Sequence, residues 1–231
     1  WFIDPLNAKG PDFIKNKDRF FLKYQFCDTN FITTSVNVLD FVSSKKTFFI
    51  PNPIDPSIDI HKSYLNKKKY DMFVAISHGQ HRGILKRDFV DDRVKFIERL
   101  TKKISYNIFG YKNNPIWGQQ FFDELTKCSM ALNISRGSPI KYYSSDRIAS
   151  LLGNGLLTFI HHDYFYQDFF SENEIITYKN INDLNKKILF YKTNINLTKK
   201  IAMNGRKKAH KLFNNKKISD FIVKKTFGLK I

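Results

Sequence analysis

Short apolar segments alternate with amphipathic segments of helical period over residues 72–178, and this alternation constrains the fold more than any other feature of the chain. The apolar segments are predicted strands, and they are 72–77, 105–110, 130–135, 155–160 and 174–178. Helices are predicted between them at 92–104, 117–128 and 144–153, and a short helix is predicted at 164–170. Strands that are apolar on both faces and separated by helices belong to a parallel sheet covered on both sides. The sequence therefore predicts an α/β fold with a doubly wound parallel sheet over residues 72–215.

The residues before this alternation are fewer and less regular. A helix at 12–26, a short strand at 28–34 and a strand that opens the segment 47–56 predict a partial N-terminal α/β segment at 1–56. The segment 47–56 ends in three prolines. Because proline lacks a backbone donor and restricts the residue before it, these residues continue neither a helix nor a central strand. We therefore predict a linker at 57–71 and, after the sheet domain, a basic C-terminal helix at 216–231.

The composition indicates a globular protein with a large positive charge. Hydrophobic residues make up 42% of the chain and aromatic residues 16%, which excludes an intrinsically disordered protein. The formal net charge is +18, and residues 199–231 contribute eleven Lys/Arg against one acid. This tail fits solvated lysines on helix faces, and it also fits a peripheral contact with an anionic membrane. Nucleic acid is the disfavoured partner, because no recognisable nucleic-acid-binding motif accompanies the charge.

The cysteines and the hydropathy pattern bear on the compartment. Cys27 and Cys128 are far apart in the sequence, and two thiols form neither a disulfide scaffold nor, unaided, a four-ligand zinc site. No stretch approaches the roughly 18–20 apolar residues that a membrane span requires, and the first ten residues lack a signal-peptide pattern. We therefore expect a cytoplasmic protein and leave open a peripheral contact at the inner face of the membrane.

Two loops at the carboxyl ends of the predicted strands are candidates for ligand binding, because ligands of doubly wound sheets bind at that edge. The loop after the first strand contains Gly79, His81 and Arg82. Glycine allows a phosphate to approach the backbone closely, and arginine supplies positive charge. Neither the dinucleotide fingerprint nor the P-loop motif is present, so this loop alone predicts a phosphate site only weakly.

The loop after the third strand leads into a helix that begins with serines. Arg136 and Lys141 lie upstream of the helix start, and Arg147 lies one turn inside it. The unpaired amides at a helix start, expected here at Ser144 and Ser145, bind anions together with the helix dipole. The convergence of these groups predicts a diphosphate site. A purely structural role, in which serine caps the helix and arginine pairs with a carboxylate, fits the same residues.

Several segments together resemble a known enzyme family. They are DRIASLLGNGLLTF at 146–159, EIITYKNINDLNKKI at 174–188 and IAMNGRKKA at 201–209. With the glycine- and arginine-containing loop after the first strand, they resemble the C-terminal half of a GT-B glycosyltransferase, of the group-one-like kind found in bacterial surface-polysaccharide pathways. Arg147 and Gly155 match the spacing of the family segment R-x-x-E-x-x-x-x-G.

The resemblance covers roughly residues 72–215, and IPNPID at 50–55 is similar to the segment that closes the family's acceptor domain. It implies a Rossmann-like domain that binds a nucleotide-diphosphate-sugar donor and transfers a hexose to a glycan or lipid-linked acceptor, with residues 1–56 as the end or remnant of the acceptor-side domain. The implied diphosphate ligands are Arg82, Lys141, Ser144, Ser145 and Arg147. The implied ligands of the sugar or nucleoside are Gly79, His81, Gly110, Tyr111, Arg136 and Asp146.

The resemblance also implies that no metal or other cofactor is needed, because fixed cations assist the departing diphosphate. No D-x-D motif occurs in the chain. Two acids of the family are replaced here: the ribose-binding glutamate falls on Ser150 and an earlier acid on Tyr142. Asp146, one turn from Ser150 on the same helix, is the expected substitute. A catalytic base, required for an inverting reaction, is not assigned, and the chain fits a fragment, a degenerate acceptor half or a short family member.

Two functions of other classes stay open. One is a binding module that recognises a nucleotide or sugar phosphate without catalysis, which the absence of turnover would reveal. The other is a polyanion-binding protein that uses the basic tail, which steep salt dependence would reveal.

Overall fold

The computed structural model describes residues 2–3, 13–39, 42–76, 92–111, 113–135 and 137–230. The strands are β1 Phe2–Ile3, β2 Asn30–Ile32, β3 Thr47–Phe49, β4 Tyr70–Ala75, β5 Tyr106–Phe109, β6 Cys128–Leu132, β7 Leu157–His161 and β8 Ile176–Tyr178. The helices are α1 Phe13–Tyr24, α2 Asp92–Glu98, α3 Gly118–Leu125, α4 Asp146–Gly153, α5 Ile181–Thr193, α6 Ile195–Leu212 and α7 Asn215–Phe227.

The larger sheet contains five parallel strands in the order β5-β4-β6-β7-β8. Met72 on β4 pairs with Tyr106 on β5 and with Met130 on β6. The chain therefore adds strands first on one side of β4 and then on the other. A point where the strand order reverses is where open α/β sheets form their ligand crevice, so the crevice is expected beyond the carboxyl ends of β4 and β6.

Helices cover both faces of this sheet, because successive side chains of the strands are apolar. Met72 and Val74 pack with residues of α2, α5 and α6, whereas Phe73 between them packs with residues of α3 and α4 on the opposite face. All three strand side chains are fully buried, and burial of each contributes about 1.5–3 kcal/mol. The predicted doubly wound α/β fold is confirmed.

The smaller sheet contains β1, β2 and β3, also parallel. The C-terminal helix α7 packs against it: the ring of Phe221 lies 6.5 Å from that of Phe31 and 6.2 Å from that of Phe48. Ile218 on the same helix is buried in this cluster. The apolar face of the basic helix is therefore covered by the N-terminal sheet.

The predicted linker at 57–71 is fixed to the larger sheet domain by hydrogen bonds. The Ser63 amide donates to the Asn154 carbonyl at 3.0 Å, and Arg206 on α6 donates to the His61 carbonyl at 2.9 Å. Asp59 is buried and accepts a hydrogen bond from the Asn154 side chain. These residues therefore form a strap along α4 and α6, and the division into domains stays a prediction.

Several predicted boundaries differ from the observed ones. The helix predicted at 144–153 begins at Asp146, because Ser145 is extended and its hydroxyl caps the helix by accepting from the Ile148 amide. The helix predicted at 92–104 ends at Glu98. The segment predicted as a short helix at 164–170 is instead interrupted at Phe165, which adopts a left-handed conformation. Within the described residues, no helix combines the length and apolar character needed to cross a bilayer.

Candidate active site

A cavity of about 400 Å³ opens at the carboxyl edge of the larger sheet. Its walls include Asn133 and Ser135 after β6, His161 at the end of β7 and Tyr178 at the end of β8. Arg93, in the first turn of α2, also lines the cavity. The volume lies within the roughly 300–1,000 Å³ of small-molecule sites. The cavity lies at the carboxyl edge, as expected, although its described walls come from the ends of β6, β7 and β8 rather than from β4.

Arg147 lies behind this cavity and joins the ends of β4 and β6. Its guanidinium donates to the Ala75 carbonyl at 3.3 Å, to the Ile134 carbonyl at 2.7 Å, to Asn133 Oδ1 at 3.0 Å and to Ser135 Oγ at 3.0 Å. Burial lowers the pKa of Arg147, although an arginine of this kind stays charged near neutral pH. The described ion pairs include none to this side chain. A buried positive charge therefore lies beneath the crevice.

Arg93 adds a second cation to the same region. Its side chain is buried at the cavity wall, and its charge is a further cause of the lowered pKa of Arg147, after burial. The charge of Arg93 therefore acts on Arg147, and a negatively charged ligand in the cavity would interact favourably with both cations. This arrangement favours a negatively charged ligand.

The polar groups of the cavity are mostly donors. Asn133 is fully buried; its Oδ1 accepts from Arg147, and its Nδ2 has no partner among the described residues. His161 Nδ1 accepts from the Asp163 amide at 3.2 Å, which places the proton of the neutral ring on Nε2. Burial raises the pKa of Tyr164 and of Tyr178, so both phenols stay protonated. Asp92 is the one carboxylate among the described lining residues.

The start of α4 differs from its predicted role. The Ser144 amide donates to the Thr33 carbonyl at 2.8 Å, and the Ser144 hydroxyl accepts from the Asn52 amide at 2.8 Å. The expectation of a free amide at Ser144 is therefore wrong, because the N-terminal segment already occupies it. The Asp146 carboxylate accepts from the Asn52 side chain, and Ser145 caps the helix.

The predicted convergence of Lys141 and Arg147 on one anion is also wrong in this structure. Arg147 donates inwards to protein acceptors, whereas the Lys141 ammonium lies 4.9 Å from the ring centres of both Tyr142 and Phe165. Donor contacts of Lys141, Ser145 and Asp146 stay predictions.

Gly110 and Tyr111, predicted near the nucleoside, lie after β5. Gly110 has φ +81°, and a Cβ there would lie 1.5 Å from the Ile76 carbonyl oxygen, so this position needs glycine. The Tyr111 hydroxyl donates to Glu98 Oε1 at 2.6 Å, which raises the pKa of Tyr111. Both residues thus have structural roles, and a contact with the base stays a prediction.

Four predicted site residues lie outside the described residues. They are Gly79, His81, Arg82 and Arg136.

A family model described as glycosyl transferase-like matches residues 91–224, more than half of the 231-residue chain. The chain belongs to the glycosyl transferase-like family. This match includes the cavity walls from Arg93 to Tyr178 and α7 as far as Lys224. The predicted family and the enzyme class that it implies are confirmed.

Solved structures of glycosyltransferases share the fold of this glycosyl transferase-like chain. TarM of S. aureus is 15% identical with a TM-score of 0.65, and the match covers 95% of this chain and 48% of TarM. HepE of Anabaena, solved in complex with UDP-glucose, is 11% identical with a TM-score of 0.65, covering 99% of this chain and 72% of HepE. Sucrose-phosphate synthase of Thermosynechococcus elongatus is 10% identical with a TM-score of 0.62, covering 97% and 66%. No curated protein sequence matches significantly.

None of the described residues that line the cavity was among the predicted site residues, and those with polar groups that matter most to binding are Arg93, Asn133, His161 and Tyr178. His161 and Tyr178 end the fourth and fifth strands of the larger sheet, so the strand-end rule would have found them if applied beyond the third strand. Arg93 precedes Ile97 by four residues and Leu100 by seven, so it falls on the apolar face of the predicted helix, and a charge at such a position was the available signal.

Proposed function

We propose that the cavity binds a nucleotide-diphosphate-sugar and that the enzyme transfers the sugar to a hydroxyl of a glycan or lipid-linked acceptor. The observation that supports this most directly is the pair of buried arginines, Arg93 at the cavity wall and Arg147 behind it. When the bond between the anomeric carbon and the diphosphate breaks, negative charge accumulates on the leaving group. Fixed cations and donors at that place stabilise the charge without reorganisation.

The individual residues have different roles in this proposal. Arg93 contacts the diphosphate, and Asn133 Nδ2 donates to it. Arg147 is a positioning residue: it fixes the ends of β4 and β6 and orients Asn133. His161 and Tyr178 offer donors to hydroxyls of the sugar or nucleoside. The fold similarity to HepE, whose structure contains UDP-glucose, agrees with a donor of this class.

The test is calorimetric titration with UDP, GDP, TDP and CDP. Arg93→Ala is expected to weaken the best of these ligands at least tenfold, about 1.4 kcal/mol. Arg99→Ala is the matched control, because Arg99 directly follows the same helix and is exposed, and its affinity is expected to match the wild type. Equal affinity of Arg93→Ala and the wild type, or no binding by the wild type, would count against the proposal.

Turnover separates a transferase from a binding module. Incubation with the matching nucleotide-sugar should release the nucleoside diphosphate, and addition of a glycan or lipid-linked acceptor should accelerate release. We further propose that the reaction needs no metal, since arginines supply the charge that a metal ion supplies elsewhere. Release should then be unchanged by EDTA, and a rate restored only by added Mg²⁺ or Mn²⁺ would contradict this part.

A further inference from the structure

Two aromatic residues outside the cavity have a backbone conformation that aromatic residues rarely adopt. Tyr142 has φ 60° and Phe165 has φ 57°, and they are the non-glycine residues with positive φ in the described chain. Glycine or asparagine would occupy the left-handed region at lower cost. Strained conformations of this kind concentrate at ligand sites, so the surroundings of these residues indicate what they serve.

The two residues lie side by side on loops that continue from the cavity wall. The Tyr142 amide donates to the Tyr164 carbonyl at 2.9 Å, which joins the loop before α4 to the turn after β7. Tyr164 and Pro139 line the cavity. On the other side, the ring of Phe49, at the end of β3, lies 5.4 Å from that of Tyr142. The cluster therefore lies between the cavity and the N-terminal sheet.

The side chains of this cluster present one exposed ring and two oppositely charged groups. Phe165 is 37% exposed although both of its neighbours, Tyr164 and Tyr166, are buried. The Lys141 ammonium lies over the Phe165 and Tyr142 rings, and the described ion pairs include none to it. Asp168 is exposed and accepts at one oxygen from the Tyr142 hydroxyl at 2.7 Å; its other oxygen accepts no hydrogen bond from the described residues.

We propose that Phe165, Lys141 and Asp168 form the subsite for a pyranose ring of the acceptor. This inference rests on the proposed function, because it takes the adjacent cavity as the donor site. The C–H face of a pyranose carries partial positive charge and packs against the negative face of an aromatic ring. The hydroxyls at the rim of the same sugar are donors and acceptors, which match a carboxylate and an ammonium. An acceptor held here lies next to the donor cavity.

The test variant removes the ring and the backbone strain together. Phe165→Gly fits the left-handed conformation, so its melting temperature should be equal to or above that of the wild type. Its sugar binding should nevertheless be lost, which a merely structural role for Phe165 does not predict. Phe165→Tyr keeps the ring and should keep binding. Phe227→Ala is the control for an exposed ring elsewhere, since Phe227 is 73% exposed at the end of α7.

Binding is measured by saturation-transfer NMR with methyl glycosides of glucose, galactose, mannose and N-acetylglucosamine, with bound UDP or whichever nucleoside diphosphate binds best. The expected result is saturation transfer to at least one glycoside with the wild type, Phe165→Tyr and Phe227→Ala, and at least a tenfold weaker effect with Phe165→Gly. Equal transfer with Phe165→Gly, or none with the wild type, would overturn the subsite. If a nucleoside diphosphate still binds in that case, the proposed donor site is unaffected. Failure of the wild type to bind any nucleoside diphosphate would instead refute the donor site and with it the acceptor role.

Discussion

Replacement of Arg147 by alanine tests whether this residue is mainly a structural link beneath the crevice. Its guanidinium donates to four acceptors on two strand ends: Ala75, Asn133, Ile134 and Ser135. Alanine supplies no donor, so acceptors in a mostly buried region lose their partners. The free energy of unfolding should fall, and the size of the fall follows from the number of hydrogen bonds.

A hydrogen bond contributes about 1 kcal/mol net, so four bonds give about 4 kcal/mol. Burial of the cation, which lowers the pKa of Arg147, opposes this gain, and we expect a net loss of about 3 kcal/mol. Arg206 on α6 is the matched comparison, because it donates to two backbone carbonyls, those of His61 and Asp59. Arg206→Ala should therefore cost about 2 kcal/mol.

Urea unfolding followed by circular dichroism measures both values. The free energy of unfolding of Arg147→Lys should lie between those of Arg147→Ala and the wild type, since an ammonium keeps the charge but cannot span all four acceptors. A loss below about 1 kcal/mol for Arg147→Ala, or a smaller loss than that of Arg206→Ala, would refute the reasoning. It would indicate that Arg147 faces the ligand, because substitution of a residue that makes no structural contacts usually lowers the free energy of unfolding by less than about 0.5 kcal/mol.

Two further variants test the packing of the domain. Burial lowers the pKa of Lys68 from 10.5 to about 8, so between these pH values the unfolded chain holds a proton that the folded chain lacks and stability rises with pH. Urea unfolding should show wild type gaining about 2 kcal/mol relative to Lys68→Met from pH 8 to pH 10, and a constant difference would contradict this. A Cβ on Gly205 would lie 2.2 Å from the Glu174 carbonyl oxygen, whereas one on Gly228, whose φ is +65°, meets nothing within 4 Å and adds only backbone strain. Gly205→Ala should lower the free energy of unfolding by ~1–2 kcal/mol more than Gly228→Ala does, and the reverse order would contradict it.

The sequence predicts the larger sheet well because its information is local and repeated. Each strand is apolar on both faces, as Met72, Phe73 and Val74 show. A short segment with this pattern indicates a parallel strand that is covered on both sides. The boundaries are less certain where a single residue changes the backbone. Phe165 interrupts a predicted helix by adopting a left-handed conformation, and no sequence rule predicts this for phenylalanine.

The candidate site could be predicted only as a region of the fold. The rule that ligands bind at the carboxyl edge places it correctly, since Asn133 and Ser135 follow β6 and line the cavity. It does not say which way a side chain turns. Arg147 could donate to a ligand or to strand ends, and the choice depends on carbonyls such as Ala75, which is 72 residues away in the sequence.

The start of α4 shows why this ambiguity is general. Free amides and a serine hydroxyl at a helix start attract any group of complementary polarity, whether a diphosphate or another part of the chain. Here the Thr33 carbonyl occupies the Ser144 amide, and the Asn52 amide donates to the Ser144 hydroxyl. The local sequence shows that the helix start needs hydrogen-bonding partners, but it does not show which groups will supply them. Because the N-terminal segment supplies that partner, the nucleotide-sugar site that we propose takes its positive charge instead from Arg93, on a helix of the opposite sheet face.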